Sequence, residues 1–139
     1  MDAMTISAHH VGLTVADIDR SQAWYGRALG FELQLGFELP GGVRGAMLRT
    51  AEGARIELFE VPGAAEGMSW ADPPTAMKQH GFGHVALEAV DLDAAYAQAI
   101  DAGAASVWKP RQSPEPGRRM AFIHDPDGNL IELIGPEAP

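Results

Sequence analysis

The chain repeats itself. The stretch HHVGLTVADID at residues 9–19 is echoed by GHVALEAVDLD at residues 83–93, and in each an Asp, Asp17 or Asp91, stands seven positions after a His, His10 or His84. The echo continues downstream. Glu57 lies 47 positions after His10, and Glu132 lies 48 after His84; both sit inside an Ile-Glu-Leu triplet with a Gly, Gly53 or Gly128, four positions before. A repeat of about 50 residues is a supersecondary unit too small to bury its own apolar face. Two copies must therefore pair, which confines the chain to a duplicated fold.

Each copy reads as a strand, a helix and three more strands. Residues 5–15 alternate as a strand, Asp17 and Asp19 offer N-caps, and IDRSQAWYGRAL is a helix that Gly30 stops. FELQLGF, GAMLRT and ARIELFE follow as strands, separated by ELPGGV and AEG. The second copy begins with the strand FGHVALEAV. Asp93 is the expected cap of the helix AAYAQAIDA, Gly103 its stop, and AASVWKP, RRMAFIHD and NLIELIG the remaining strands. DPDGN carries the Asp-Gly signal of a tight hairpin. The expected layout is a first βαβββ module over 6–61, a Pro- and Gly-rich connector over 62–81 and a second module over 82–136, together one domain spanning 1–139.

Composition narrows the function. The 139 residues suffice for one core, and with no Cys there is no disulfide and no thiolate ligand or nucleophile. A formal charge of −9 argues against nucleic acid or an anionic membrane as partner. No apolar run is long enough to span a bilayer, and the acidic start MDAMTISAHH is unlike a secretory signal; the expected location is the cytoplasm. Within KPRQSPEPGRR, four basic residues (Lys109, Arg111, Arg118 and Arg119) read either as a solvated loop or as a small electropositive rim for an anionic molecule.

The four repeated residues carry the chemistry. Side chains alternate along a strand, so each Glu of an Ile-Glu-Leu triplet points away from its apolar neighbours. The apolar set packs on the helix of its module, which turns His10, Glu57, His84 and Glu132 to the opposite face. If the modules are related by an approximate two-fold axis, these four converge, and two imidazoles with two carboxylates make a divalent metal site. His9, His80 and His124 lack a repeat partner and are expected to be structural or surface residues, His9 pointing to the helix side or the strand edge. Met47, Arg49, Met120 and Phe122 are further cleft candidates, and Trp70 in the connector is placed to close over the mouth.

HHVGLTVADIDRSQAWYGRALGF, GFGHVALEAVDLDAAYAQAIDAG and MAFIHDPDGNLIELIG together resemble the vicinal oxygen chelate superfamily, the glyoxalase, bleomycin-resistance protein and dioxygenase group, over about residues 6–136. The resemblance implies an α+β fold of two paired βαβββ modules whose eight strands form an open cup around a metal. It places His10 on the first strand, Glu57 on the fourth, His84 on the fifth and Glu132 on the eighth as ligands. The implied cofactor is a divalent transition metal: nickel, cobalt, zinc, manganese or iron.

Two His and two Glu leave two positions open on a six-coordinate ion, enough for a small substrate to chelate through vicinal oxygens. The expected activity is that of a metal-dependent glyoxalase-like lyase or isomerase, with Glu132 and Glu57 moving a proton through an enediolate. The alternatives are an extradiol-type dioxygenase, whose iron prefers two His and one carboxylate, and a small-molecule-binding antibiotic-resistance protein. Bacterial lactoylglutathione lyases resemble one another in an Arg four residues after the first His and an Asn four after the first Glu, where this chain has Thr14 and Val61. Methylmalonyl-coenzyme A epimerases usually carry Gln in place of Glu57. The substrate stays open between and beyond these. A homodimer is expected, with the metal held either by the two modules of one chain or by one module from each subunit.

Overall fold

A computed structural model describes residues 3–137. The first module comprises β1 (Val11–Thr14), α1 (Ile18–Leu29), β2 (Glu32–Leu39), β3 (Val43–Arg49) and β4 (Arg55–Glu60). After a one-turn helix α2 (Pro73–Ala76), the second comprises β5 (His84–Glu88), α3 (Leu92–Asp101), β6 (Ala105–Gln112), β7 (Arg118–His124) and β8 (Leu130–Pro136). The sheets run β1-β4-β3-β2 and β5-β8-β7-β6, with β1 parallel to β4 and β5 parallel to β8. The fold is thus the α+β pair of βαβββ modules, its eight strands divided into two four-stranded sheets.

Local chemistry explains the element ends. Asp17 caps α1 by accepting the Arg20 N–H, and Gly30 ends it in the left-handed region at φ 75°. Asp91, not Asp93, caps α3, accepting from the Ala94 N–H, while Asp93 pairs with Arg119. The helix starts two residues earlier than the apolar run suggested because Leu92 is already buried. β1 is far shorter than 5–15: only Val11–Thr14 find partners, on Ile56–Phe59, and His10 lies just ahead of the strand.

One apolar core joins the modules. Trp24, Tyr25, Leu48, Ile56 and Leu58 from the first merge with Leu92, Ala99, Ile123, Ile131 and Leu133 from the second, and α1 packs on α3. The DPDGN turn latches onto α1. Asp125, buried, accepts hydrogen bonds from Tyr25 Oη at 2.6 Å, from the backbone N–H of Asp127 and Asn129, and from Asn129 Nδ2. Asp127 in turn accepts from the Ala16 N–H. Burial, and then the Asp125 carboxylate, push the Tyr25 phenol far above its ordinary value of 10.0. Above about pH 10 the unfolded phenol ionises while the folded one keeps its proton, so stability falls as pH rises there. Tyr25→Phe is expected to cost about 1–2 kcal/mol at neutral pH and to flatten that alkaline slope. Denaturant midpoints between pH 7 and 11 check both.

The single chain is open. Its accessible surface is 8816 Å², against about 7,000 Å² for a compact monomer of this mass. Part of the difference is apolar: Leu33, Leu35 and Leu39 of the edge strand β2 are each about half exposed, and Phe82 ahead of β5 is fully exposed.

Candidate metal and active site

The two Ile-Glu-Leu triplets behave as their alternation requires. Ile56 and Leu58 are buried beneath β4, as are Ile131 and Leu133 beneath β8, leaving Glu57 and Glu132 on the faces turned away from the helices. The registers match. Glu57 pairs with Gly12 across the parallel ladder and Glu132 with Ala86, so each His stands two residues before its Glu's partner and shares its face. His10 Nε2 comes to 3.4 Å from Glu57 Oε1, and His84 Nε2 to 3.0 Å from Glu132 Oε1. Both pairs are partly exposed, with the carboxylates the more sheltered members.

The four residues therefore form two His–Glu pairs, one per module. Among the described residues of one chain, no three His, Asp or Glu side chains gather closely enough to hold an ion together. Each pair by itself fits half of a metal site. Two adjacent ligands about 2.1 Å from one divalent ion sit about 3 Å apart, close to the separations found, and neutral imidazole with carboxylate suits a borderline transition metal.

Each pair stands on an apolar floor. Met47 faces Glu57 across β3–β4, and Phe122 faces Glu132 across β7–β8. Phe122 meets the His84 ring edge-on at 5.1 Å and Trp108 at 5.5 Å; Phe37 and Phe59 pair similarly in the first module. Gly45 lies under the Phe37 ring, leaving no room for a Cβ. A depression of about 260 Å³ beside Glu57 is lined by His9, Gln34, Leu35, Phe37, Met47 and Arg55. A larger hollow of about 830 Å³ lies between the connector and the DPDGN turn, and none of the four residues lines it.

Other candidates separate cleanly. Met47 and Phe122 flank the Glu residues, while Met120 faces Ile134 and Arg49 faces Arg55 on the same two floors. Trp70 packs with Phe122 and Leu130, and its carbonyl is held by His124 Nε2 at 2.7 Å, which makes His124 structural. His80 is exposed. His9 differs from expectation: its Nδ1 lies 2.7 Å from His10 Nδ1, edge-on to that ring. Strand pairing begins only at Val11, so the alternation that sent His9 to the helix side does not apply. Half of the basic run is neutralised. Arg118 pairs with Glu88 and Glu115, Arg119 turns to Asp93 on α3, and Arg111 stacks 4.3 Å over Trp108. Arg55 and Gln34 also line the depression beside Glu57, and Arg55 stands two residues before Glu57 and thus on its face.

Two sheets turned back to back on their helices, each displaying a His–Glu pair, define a duplicated βαβββ protein. The model of the Glyoxalase/Bleomycin resistance protein/Dioxygenase superfamily matches residues 7–133, and the chain belongs to that family. It is 30% identical over 132 residues to the uncharacterized protein YwkD of Bacillus subtilis, covering 91% of this chain and 94% of that one. It is also 30% identical over 129 residues to a probable lactoylglutathione lyase of Synechocystis, covering 90% and 92%. A glyoxylase/bleomycin resistance protein/dioxygenase domain from Frankia superposes with a TM-score of 0.78 at 22% identity, over 96% of this chain and 100% of that one, a likeness of fold. No helix among the described residues is long and apolar enough to cross a membrane.

Proposed function

We propose that the protein is a metal-dependent lyase or isomerase of the glyoxalase type, acting on a small molecule with vicinal oxygens. The duplicated His–Glu pair, set on matching faces in matching register, carries this reading. The similarity to a probable lactoylglutathione lyase supports it. His10, Glu57, His84 and Glu132 are the residues that would hold the ion. A divalent metal there supplies Lewis acidity, lowering the cost of negative charge on the substrate's oxygens as a neighbouring C–H proton leaves. Glu132 accepts that proton, and either Glu132 or the Glu57 brought opposite it in the assembled site returns it.

In this proposal the site is made by two subunits. Since the pairs stay apart within a chain, His10 and Glu57 are completed by His84 and Glu132 of the partner subunit, and a two-fold axis makes two such sites. The extended surface and exposed leucines of β2 support a dimer of the obligate class, which buries upward of about 1,000 Å² per subunit. Light scattering at micromolar concentration is expected to give twice the 14.8 kDa chain mass; a monomer contradicts the arrangement.

His9 positions His10. For His10 to offer the Nε2 lone pair to a metal, its Nδ1–H donates to His9 Nδ1. His9→Ala is expected to weaken metal binding by about 10–100-fold, read by competition with a chromogenic chelator. Exchange of α-protons into deuterated water, followed by NMR over a panel of 2-hydroxycarbonyl compounds and thioesters, tests the reaction class. Metal-dependent exchange on at least one member is expected. Oxygen consumption without exchange favours a dioxygenase, and tight binding without either favours a sequestering protein.

A further inference from the structure

The strands around Glu57 carry two cations that the proton-transfer scheme leaves unused. Arg55 stands two residues before Glu57 on β4, on the same face and about 6.7 Å along the strand. Arg49 stands directly opposite it on β3. Arg55 lines the depression beside Glu57, and Arg49 lines a neighbouring one of about 340 Å³ with Gln34 shared between them. Among the described residues neither guanidinium makes an ion pair or a side-chain hydrogen bond.

Arg27 and Arg111 likewise make no ion pair; what sets Arg49 and Arg55 apart is that they face each other in register. The chain's net charge is −9, and the arginines nearest carboxylates are neutralised: Arg20 by Asp127, Arg44 by Asp19, Arg118 by Glu88 and Arg119 by Asp93. Glu32 faces Arg49 in register without forming an ion pair, and Glu57 is engaged with His10. Like charges directly opposite each other on antiparallel strands destabilise the sheet. Two arginines without a carboxylate partner, opposite each other in register and lining adjoining depressions that share Gln34, with Arg55 beside Glu57, make a binding fork for an oxyanion.

We propose that Arg55 and Arg49 form an anion subsite and that the substrate carries a carboxylate or phosphate a few bonds from its chelating oxygens. This rests on the chelation reading above and adds the substrate's charge class. It also differs in place from the lyase pattern, since Thr14 and Val61 stand where the Arg and Asn of that pattern would be.

The test uses the full-length protein loaded with cobalt and three hydroxamates, which chelate through vicinal oxygens: butyrohydroxamate, succinohydroxamate and 3-phosphonopropionohydroxamate. At least one anionic probe is expected to bind roughly tenfold more tightly than the neutral one, and the tighter of the two names the oxyanion. Arg55→Gln and Arg49→Gln should each erase most of that difference while changing butyrohydroxamate affinity far less. Neither substitution should lower the thermal midpoint, because each relieves a like-charge contact; a purely structural role predicts a drop. Equal binding of all three hydroxamates overturns the anion subsite and leaves chelation standing. If none binds, chelation fails instead, and titration of Arg side-chain NMR resonances with inorganic phosphate then decides the subsite: shifts at Arg49 and Arg55 that vanish in Arg55→Gln uphold it, and their absence overturns it.

Discussion

Metal-loaded Glu132→Gln protein is expected to turn over its substrate about 10²–10⁴-fold more slowly than the parent while keeping most of its metal. The amide oxygen still coordinates, but it accepts no proton at working pH. Glu132 is the more sheltered of the two carboxylates, 13% exposed against 21% for Glu57, and lies closer to its His. Its floor is also the more aromatic, with Phe122 directly opposite and Trp108 against Phe122. A drier surrounding favours proton transfer over competition by solvent. Glu57→Gln is expected to show a smaller loss, because Arg55 and the open depression leave that carboxylate better solvated. Near-normal turnover by fully metallated Glu132→Gln protein overturns the assignment. A loss of rate that only tracks loss of metal reduces both residues to ligands.

The second large effect is expected from the imidazoles. His84→Ala removes a ligand outright, and metal affinity should fall by more than the roughly 10–100-fold that loss of an outer partner costs. His10→Ala should do the same. The fold has little stake in either side chain: each is at least about a third exposed, and the core residues lie on the other faces of the sheets. Thermal midpoints of the metal-free variants should therefore stay near that of the metal-free parent, and metal content per chain should drop well below one. Full metal retention in His84→Ala contradicts the site.

Much of the fold is legible in the sequence. α1 was bounded correctly because both of its ends carry chemistry, an Asp that caps and a Gly that reaches φ 75°. The Ile-Glu-Leu triplets announced which way the two Glu side chains turn. Other features depended on partners far along the chain. TISAHH alternates well enough for a strand, but β4 offers it no partner before Val11, and so His9 escapes the pleat while His10, one residue ahead of the strand, still meets Glu57. Asp91 and Asp93 are equivalent caps until burial of Leu92 and the reach of Arg119 decide between them. In the basic run KPRQSPEPGRR, Arg118 and Arg119 are neutralised because successive arginines on β7 point to opposite faces, each toward its own carboxylate. The duplication itself does not say how the two pairs would be joined, since a two-fold repeat is satisfied equally by modules joined within a chain or between chains. Arg55 was there to be read from the same alternation as Glu57.

Subunit mixing tests the shared site most directly. His10→Ala and His84→Ala proteins, each deficient in metal binding, are unfolded together in equal amounts, refolded and assayed for metal and turnover. In a mixed dimer one site loses both imidazoles, but the other takes His10 from one subunit and His84 from the partner and is whole. Random reassortment makes about half the dimers mixed, so about a quarter of the parent's metal sites should return, together with a similar share of activity. No recovery in a mixture whose subunits are shown by mass spectrometry to have exchanged would contradict the two-subunit site.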